Sequence, residues 1–546
     1  MTRSPLAPVR GWPSDTAARY RQLGYWTEET FADFVEDRTA RFADHLAVVG
    51  QDARGRTQRW TYAELGARAR ATAARFAQLG VRPGDRVVVA LPNLVDYVRT
   101  VLGLLRLGAL PVFALPTHRA LELTQFCTLT DAAALVVAGG EGTDQLELHA
   151  TVCGLVADRG VEPPLLVDVA TWAAGDDAAV PMPDVNAEQV AFLQLSGGTT
   201  GVSKLIPRTH ADYLYSVRAS ARICGLTSRT VQLVVLPAAH NFAMSSPGIL
   251  GVLHVGGTVV LAADPSPRTA FALVQSERVT DAALVPPLAQ AWVSAARRRS
   301  PDLGSLRVLQ VGGARLADSV APEIEAVLGV RLQQVFGMAE GLVNYTRDED
   351  PSEIVHATQG RPISPDDEIR VVDDGDHDVP DGQEGALLTR GPYTIRGYYR
   401  APQADAESFT DDGFYRTGDR VRRLPSGHLI VTGRDKDQIN RAGEKIAVDE
   451  LEGLALMHPA VLDAVAVGAP DPYLGERIVL VVRAEPDGPG PADLPDFLRA
   501  AGLAAHKIPD QVVVVGELPV TNVGKNSRRE LRRLLAESLT AAKEPR

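Results

Sequence analysis

The sequence predicts a layered α/β protein with a large N-terminal domain and a smaller C-terminal one, and three observations carry that expectation. Short β-branched runs alternate with helix-period stretches at 85–116, 231–262 and 279–312. From about residue 360 the pattern changes to short alternating strands separated by Gly- and Asp-rich turns, and from 437 a second, shorter α/β pattern begins. A chain of 546 residues also exceeds what one hydrophobic core usually organises.

Taken in order, DRVVVALPN (85–93), VDYVRTVLGLLRLGAL (95–110) and PVFALP (111–116) read as strand, helix, strand. The same rhythm returns in VQLVVLP, SSPGILGVLHVGG and TVVLA, and again in VTDAALVPP, LAQAWVSAARRR and LRVLQVGG, so layered parallel α/β subdomains are expected. The segment DDEIRVVDDGDHDVPDGQEGALLTRG predicts a small antiparallel β-barrel. VDELEGLALMHPAVLDAVAVGAPD, RIVLVVRAEP, ADLPDFLRAAGLAAH and VVVVGELPV predict a separate α+β domain, which divides the chain at 1–435 and 436–546.

Composition narrows the function. With 45% hydrophobic and 23% charged residues the chain is an ordinary globular protein, and a net charge of -12 argues against a nucleic-acid or anionic-membrane surface. Cys127, Cys153 and Cys224 are too few and too scattered for a disulfide framework or a zinc site. No apolar run approaches a signal peptide core or a membrane span, so a cytoplasmic protein is expected. Among 56 basic residues only six are lysines, namely Lys204, Lys436, Lys445, Lys507, Lys525 and Lys543. Where nearly every surface cation is Arg, a Lys points to a local need for a compact ammonium between small anions.

The strongest chemical signal is LQLSGGTTGVSKLIPRTH (193–210). After an apolar strand, the run SGGTT, with two glycines and three hydroxyl residues, and then Lys204 offer backbone N–H groups, hydroxyl donors and a cation to a phosphate. It is not a Walker loop, because Ser203 precedes Lys204 rather than following it. Glu340 in the Gly-flanked FGMAEG suits a hard cation. Asp419, in the turn YRTGD, can accept from two hydroxyls. Gly312, Gly313 and Ala314 follow an apolar strand, where missing side chains let a flat ring approach or simply allow a tight turn.

That loop, with VFGMAEG (335–341), GFYRTGDR (413–420), GRDKDQINRAGEKI (433–446) and LPVTNVGK (518–525), resembles the ANL adenylating superfamily of acyl-CoA synthetases, peptide-synthetase adenylation domains and luciferases. AAHNFAMSSPGILG (238–251) and FGMAEGLVNYTR (336–347) narrow the likeness to aryl-acid AMP ligases of siderophore biosynthesis, which activate 2,3-dihydroxybenzoate or salicylate. The resemblance implies the ANL fold, with a mobile C-terminal domain, and ATP and Mg²⁺ as cofactors. It assigns ATP or AMP to Ser196, Gly197, Gly198, Thr199, Thr200, Lys204, Gly312, Gly313, Ala314, Val335, Phe336, Gly337, Met338, Ala339, Glu340, Asp419, Arg434 and Lys525. Glu340 would bind the metal and Asp419 the ribose; Ala339 stands where the superfamily usually has Thr. Lys525 would reach the substrate carboxylate and α-phosphate during in-line attack. Lys436 would be the hinge about which the C-terminal domain swings from that pose to one presenting the loop at Gly443.

The same likeness places the acid among Asn241, Phe242, Ser246, Gly313, Gly337 and Val343. Asn241 stands where amino-acid-activating domains have Asp; an amide offers no full charge to an ammonium, so an acid without an α-amine is expected. His240 is read as a gate for carboxylate and ATP, or as a hydrogen-bonded core histidine. Phe242 matches salicylate enzymes, whereas Ser246 and Val343 match the dihydroxybenzoate pattern. Salicylate or a close analogue leads, with 2,3-dihydroxybenzoate and 3-hydroxyanthranilate open. The chain ends about twenty residues after Lys525, so the thiol acceptor is expected in trans, a phosphopantetheinylated aryl carrier protein or free coenzyme A. RRELRRLL (528–535) is a docking face for an acidic partner or a solvated helix face. A monomer or homodimer is expected. The rival from another class, a non-catalytic adenylate-binding protein, is opposed by the joint presence of Lys204, Glu340, Asp419 and Lys525.

Overall fold

The computed structural model describes residues 3–139, 144–172, 180–196, 204–434, 439–441, 444–446, 448–471, 474–484, 491–501, 503, 507–521 and 525–541. Two large sheets form the N-terminal part. A nine-stranded sheet runs in the order 361–362, 342–345, 331–338, 308–312, 281–284, 231–234, 258–261, 46–51, 57–61. Its six inner strands are mutually parallel and its edges are antiparallel. A six-stranded sheet runs 165–168, 134–137, 86–89, 110–113, 190–195, 205–209, parallel except for the last pair.

The predicted strand–helix–strand units lie where the periodicity puts them. Arg86–Val89, Val95–Leu107 and Leu110–Phe113 form the first. Its helix is buried on nearly every side, with the charged Asp96 and Arg106 buried as well. Gly108 ends it in the left-handed region at φ 78°, which frees the chain to turn into the next strand. One core is continuous between the two sheets, taking in Val87, Val136 and Phe192 from one and Val48, Leu233 and Leu309 from the other.

The expected barrel is a four-stranded antiparallel sheet, 368–372, 384–390, 415–423 and 429–434, wrapped on Val371, Leu387, Val421, Leu429 and Val431. Beyond it a five-stranded sheet carries the chain from Ile439 onward, packed on one face by Val448–Ala455 and Leu494–Ala500 and on the other by Arg528–Ala541. This separate C-terminal domain has its own core, with Ile439, Leu451, Ala466, Leu480 and Leu498 fully buried. Among the described residues no helix is long and apolar enough to cross a membrane.

Candidate active site

Three segments of the site leave the carboxyl ends of parallel strands in one sheet: 235–246 after Val231–Val234, 312–314 at the end of Val308–Gly312, and 335–340 at the end of Arg331–Met338. Parallel sheets open crevices at that edge. Asn93 ties the first segment down, donating to Leu236 O at 3.0 Å and accepting from Ala238 N at 2.8 Å.

The phosphate-loop residues Gly197, Gly198, Thr199 and Thr200 lie outside the described residues, as do Lys436 and Gly443. The base of the loop is described. Ser196 N donates to Lys204 O at 3.0 Å and Lys204 N donates to Ser196 Oγ at 2.9 Å, so the loop springs from a closed antiparallel hairpin. Lys204 Nζ lies 4.3 Å above the Tyr398 ring. Tyr398 in turn donates to Glu340 Oε1 at 3.0 Å and shares a 3.1 Å contact with the Tyr415 hydroxyl. Glu340 is only 6% exposed; burial raises its pKa, and the Tyr398 hydroxyl with the charges of Lys204 and Arg434 holds it back. Arg208, itself buried, locks this corner by donating to Ala339 O at 2.7 Å and Tyr393 O at 2.9 Å.

Asp419 is 3% exposed and faces Arg434 across the antiparallel ladder, accepting from Arg434 Nε at 2.7 Å. The conjunction that matters is where Lys525 goes. It comes from the C-terminal domain, where Thr521 N donates to Lys525 O at 2.5 Å and Lys525 N donates to Thr521 Oγ1 at 3.2 Å. Its side chain crosses to the large domain: a Cβ on Gly313 would meet Lys525 Cε at 3.0 Å and Nζ at 3.5 Å. Burial and the neighbouring Arg434 charge push its pKa down to about 8, with Asp419 opposing. His240 feels the same ammonium; burial and then Lys525 lower its pKa to about 3. Because His240 Nδ1 accepts from Phe242 N at 3.3 Å, the neutral ring carries its proton on Nε2.

The residues expected to hold the acid also converge. His240 caps the short helix Asn241–Ser245, which buries Phe242. A Cβ on Gly312 would meet Val335 O at 2.6 Å and Phe242 Cζ at 3.2 Å. One on Gly337 would meet Leu342 O at 2.9 Å and Val343 Cγ2 at 3.4 Å. Both glycines are thus demanded by close packing around the pocket. Val335, Ala339, Ser246 and Val343 are buried, Phe336 and Met338 half-buried, and Ala314 exposed. Among the described residues no group of three or more His, Cys, Asp or Glu side chains is arranged to hold a metal.

The model of the AMP-binding enzyme family matches residues 35–399, and that of the AMP-binding enzyme C-terminal domain matches residues 450–525. The chain belongs to this family. It is 51% identical over 539 residues to a 2,3-dihydroxybenzoate-AMP ligase of Bacillus subtilis, covering 97% of this chain and 98% of that one. It is 45% identical over 532 residues to a salicyl-AMP ligase / salicyl-S-ArCP synthetase of Mycobacterium tuberculosis, covering 96% and 94%. Among solved structures it is similar to apo MbtA of Mycobacterium smegmatis, with a TM-score of 0.72, 45% identity, and 96% and 98% coverage. These relatives place the chain in the aryl-acid AMP ligase branch of the ANL superfamily.

For this adenylating enzyme the structure brings together Lys204, Glu340, Asp419, Arg434, Lys525, His240 and the pocket side chains. Sequence reasoning missed the residues that hold them: Asn93, Arg208, Tyr213, Tyr398 and Tyr415. Arg208 stands inside the quoted loop segment, but nothing in its spacing tells a buried clamp from a surface cation.

Proposed function

We propose that the chain is an ATP-dependent aryl-acid AMP ligase acting on salicylate or a close ortho-substituted analogue, with 2,3-dihydroxybenzoate next in preference. A carboxylate oxygen of the acid attacks the α-phosphorus of ATP, the bond to the β-phosphate oxygen breaks, and pyrophosphate leaves with the electron pair. The mixed anhydride then gives its acyl group to a phosphopantetheine thiol of an aryl carrier protein in trans, and AMP leaves. The name of the M. tuberculosis relative, a salicyl-S-ArCP synthetase, supports that acceptor. A cytoplasmic monomer or homodimer is the proposed working form.

One observation carries the reading. Lys525, from one domain, lies against Gly313 and within electrostatic reach of His240, Asp419 and Arg434 in the other. A cation there neutralises the charge that grows as carboxylate and phosphate approach, in an enclosed site where such stabilisation is strong. Asp419 is placed to accept from ribose hydroxyls beside the Arg434 guanidinium. His240, neutral with its proton on Nε2, offers a donor to the carboxylate without competing for its charge. Gly312 admits the close approach of Phe242 and Gly313 that of Lys525, and the base of the Ser196–Lys204 loop supports the phosphate cradle.

Glu340 fits a magnesium ion: a single buried carboxylate suits a cation that completes its octahedral shell with phosphates and water. When bound, Mg²⁺ would neutralise phosphate charge. The proposed boundary between domains is 435/436, with Lys436 as hinge and Gly443 in the second, thioester-forming pose; strand Leu429–Arg434 belongs to one sheet and Ile439–Arg441 to the next.

The test is pyrophosphate exchange with a panel of benzoic acids, on the wild type and on Phe242→Tyr. The buried Phe242 ring has no donor for a second ring hydroxyl. Adding one should raise 2,3-dihydroxybenzoate relative to salicylate by about tenfold. An unchanged ratio would remove Phe242 from the specificity argument, and no acid-dependent exchange at all would remove the activity.

A further inference from the structure

Tyr213 stands on the helix His210–Ile223, directly behind Asn241. The side chain is 1% exposed, and its oxygen lies 2.7 Å from Asn241 Oδ1 and 2.7 Å from Ser245 Oγ. The ring is held edge-on against Phe192, with centroids 4.6 Å apart and planes at 90°, and the Arg208 guanidinium lies 4.9 Å from its centroid. It has little freedom to turn.

A phenol has one proton to give and lone pairs to receive. Ser245 Oγ donates to it. Gln194 lies beside the same phenol. Its Oε1 already accepts from Leu195 N at 3.1 Å, and its buried Nε2 has no partner in hydrogen-bond geometry among the described residues. What Gln194 can offer the phenol is therefore also a donor. With donors on the oxygen, the single phenolic proton goes to Asn241 Oδ1, and burial, which pushes the phenol up to about 12, keeps that proton in place.

We propose that Tyr213 is a positioning residue that sets the hydrogen-bond polarity of the acid pocket. With Oδ1 held by the phenol, Asn241 turns only N–H donors toward the substrate. The acid must then carry an acceptor beside its carboxyl, such as a hydroxyl oxygen or a ring nitrogen, and an ortho-amino acid is disfavoured. This rests on the aryl-acid reading above and sharpens its substrate class: hydroxy acids rather than anthranilates.

The experiment is pyrophosphate exchange with salicylate, anthranilate and benzoate on the wild type, Tyr213→Phe and Ser245→Ala. The wild type should favour salicylate over anthranilate by about tenfold or more. Tyr213→Phe, which releases the amide to turn its oxygen toward an amino group, should narrow that ratio by about tenfold. The change should appear mainly in KM for the acid. Ser245→Ala should narrow it less, in the same direction, and carries the test if the Phe variant fails to fold. Loss by one common factor for all three acids would mean a merely structural role and overturn the proposal. So would a wild type that favours anthranilate, since that is the signature of the opposite amide polarity. Wild-type enzyme inactive with every acid would instead overturn the activity on which the proposal stands.

Discussion

Gly313→Ala separates the two half-reactions by adding one methyl group. Gly313 has φ +83°, where an L side chain costs about 1–2 kcal/mol. The new Cβ would also stand 3.0 Å from Lys525 Cε and 3.3 Å from Val285 Cγ1. Val285 is 2% exposed and held in the core, so the flexible lysine gives way. Losing one preorganised electrostatic contact entirely costs roughly 10²–10³ in rate, and a partial displacement costs less. Adenylation should therefore fall by about 10- to 100-fold, read by pyrophosphate exchange. Thioester formation from preformed aryl-AMP, in which this lysine has no assigned part, should fall much less. Global stability should drop by only about 1–2 kcal/mol. The decisive control is Gly313→Ala in a Lys525→Ala background, where the methyl should cost little more. If the methyl is as damaging without the lysine as with it, or slows both half-reactions equally, the contact does not act through Lys525 and the reasoning fails.

Three further outcomes follow from the electrostatics. Lys525 is active as a cation and its pKa is lowered to about 8, so its charge is present below that pH and lost above it. In adenylation, kcat/KM should decline above about pH 8, and Lys525→Arg should move that limb upward; an unmoved limb would assign it to another group. His240, pushed to about 3, should contribute no titration between pH 5 and 8. Glu340→Gln keeps an oxygen to accept from Tyr398 and removes the negative charge. It should raise the Mg²⁺ concentration needed for half-maximal exchange by about tenfold or more with little change in melting temperature, and an unaltered Mg²⁺ dependence would place the ion elsewhere.

The layered architecture was legible because its signals are local and repeated. Three strand–helix–strand units announce themselves through β-branched runs against helical period, although the first helix, read as 95–110, ends at Leu107 where Gly108 turns left-handed. The candidate site residues were legible because each lies in a short motif whose residue types match the chemistry proposed for it, as Glu340 and Asp419 do. What lies behind them was not. Asn93 anchors a loop 145 residues away in the chain, and Tyr398 reaches Glu340 across a separation of 58. Arg208 clamps two carbonyls from 131 and 185 residues further on. Such pairings depend on tertiary placement, which neither periodicity nor composition encodes. The contact of Tyr213 with Asn241, made from a neighbouring helix 28 residues earlier in the chain, was illegible for the same reason.

The measurement that bears most directly on the central claim is the rate of each half-reaction in Lys525→Ala. Pyrophosphate exchange with salicylate should fall by about 10²-fold or more, while acyl transfer from preformed salicyl-AMP to a holo aryl carrier protein stays near the wild-type rate. Undiminished exchange, or equal loss in both steps, would contradict a lysine that crosses from the small domain to serve adenylation alone.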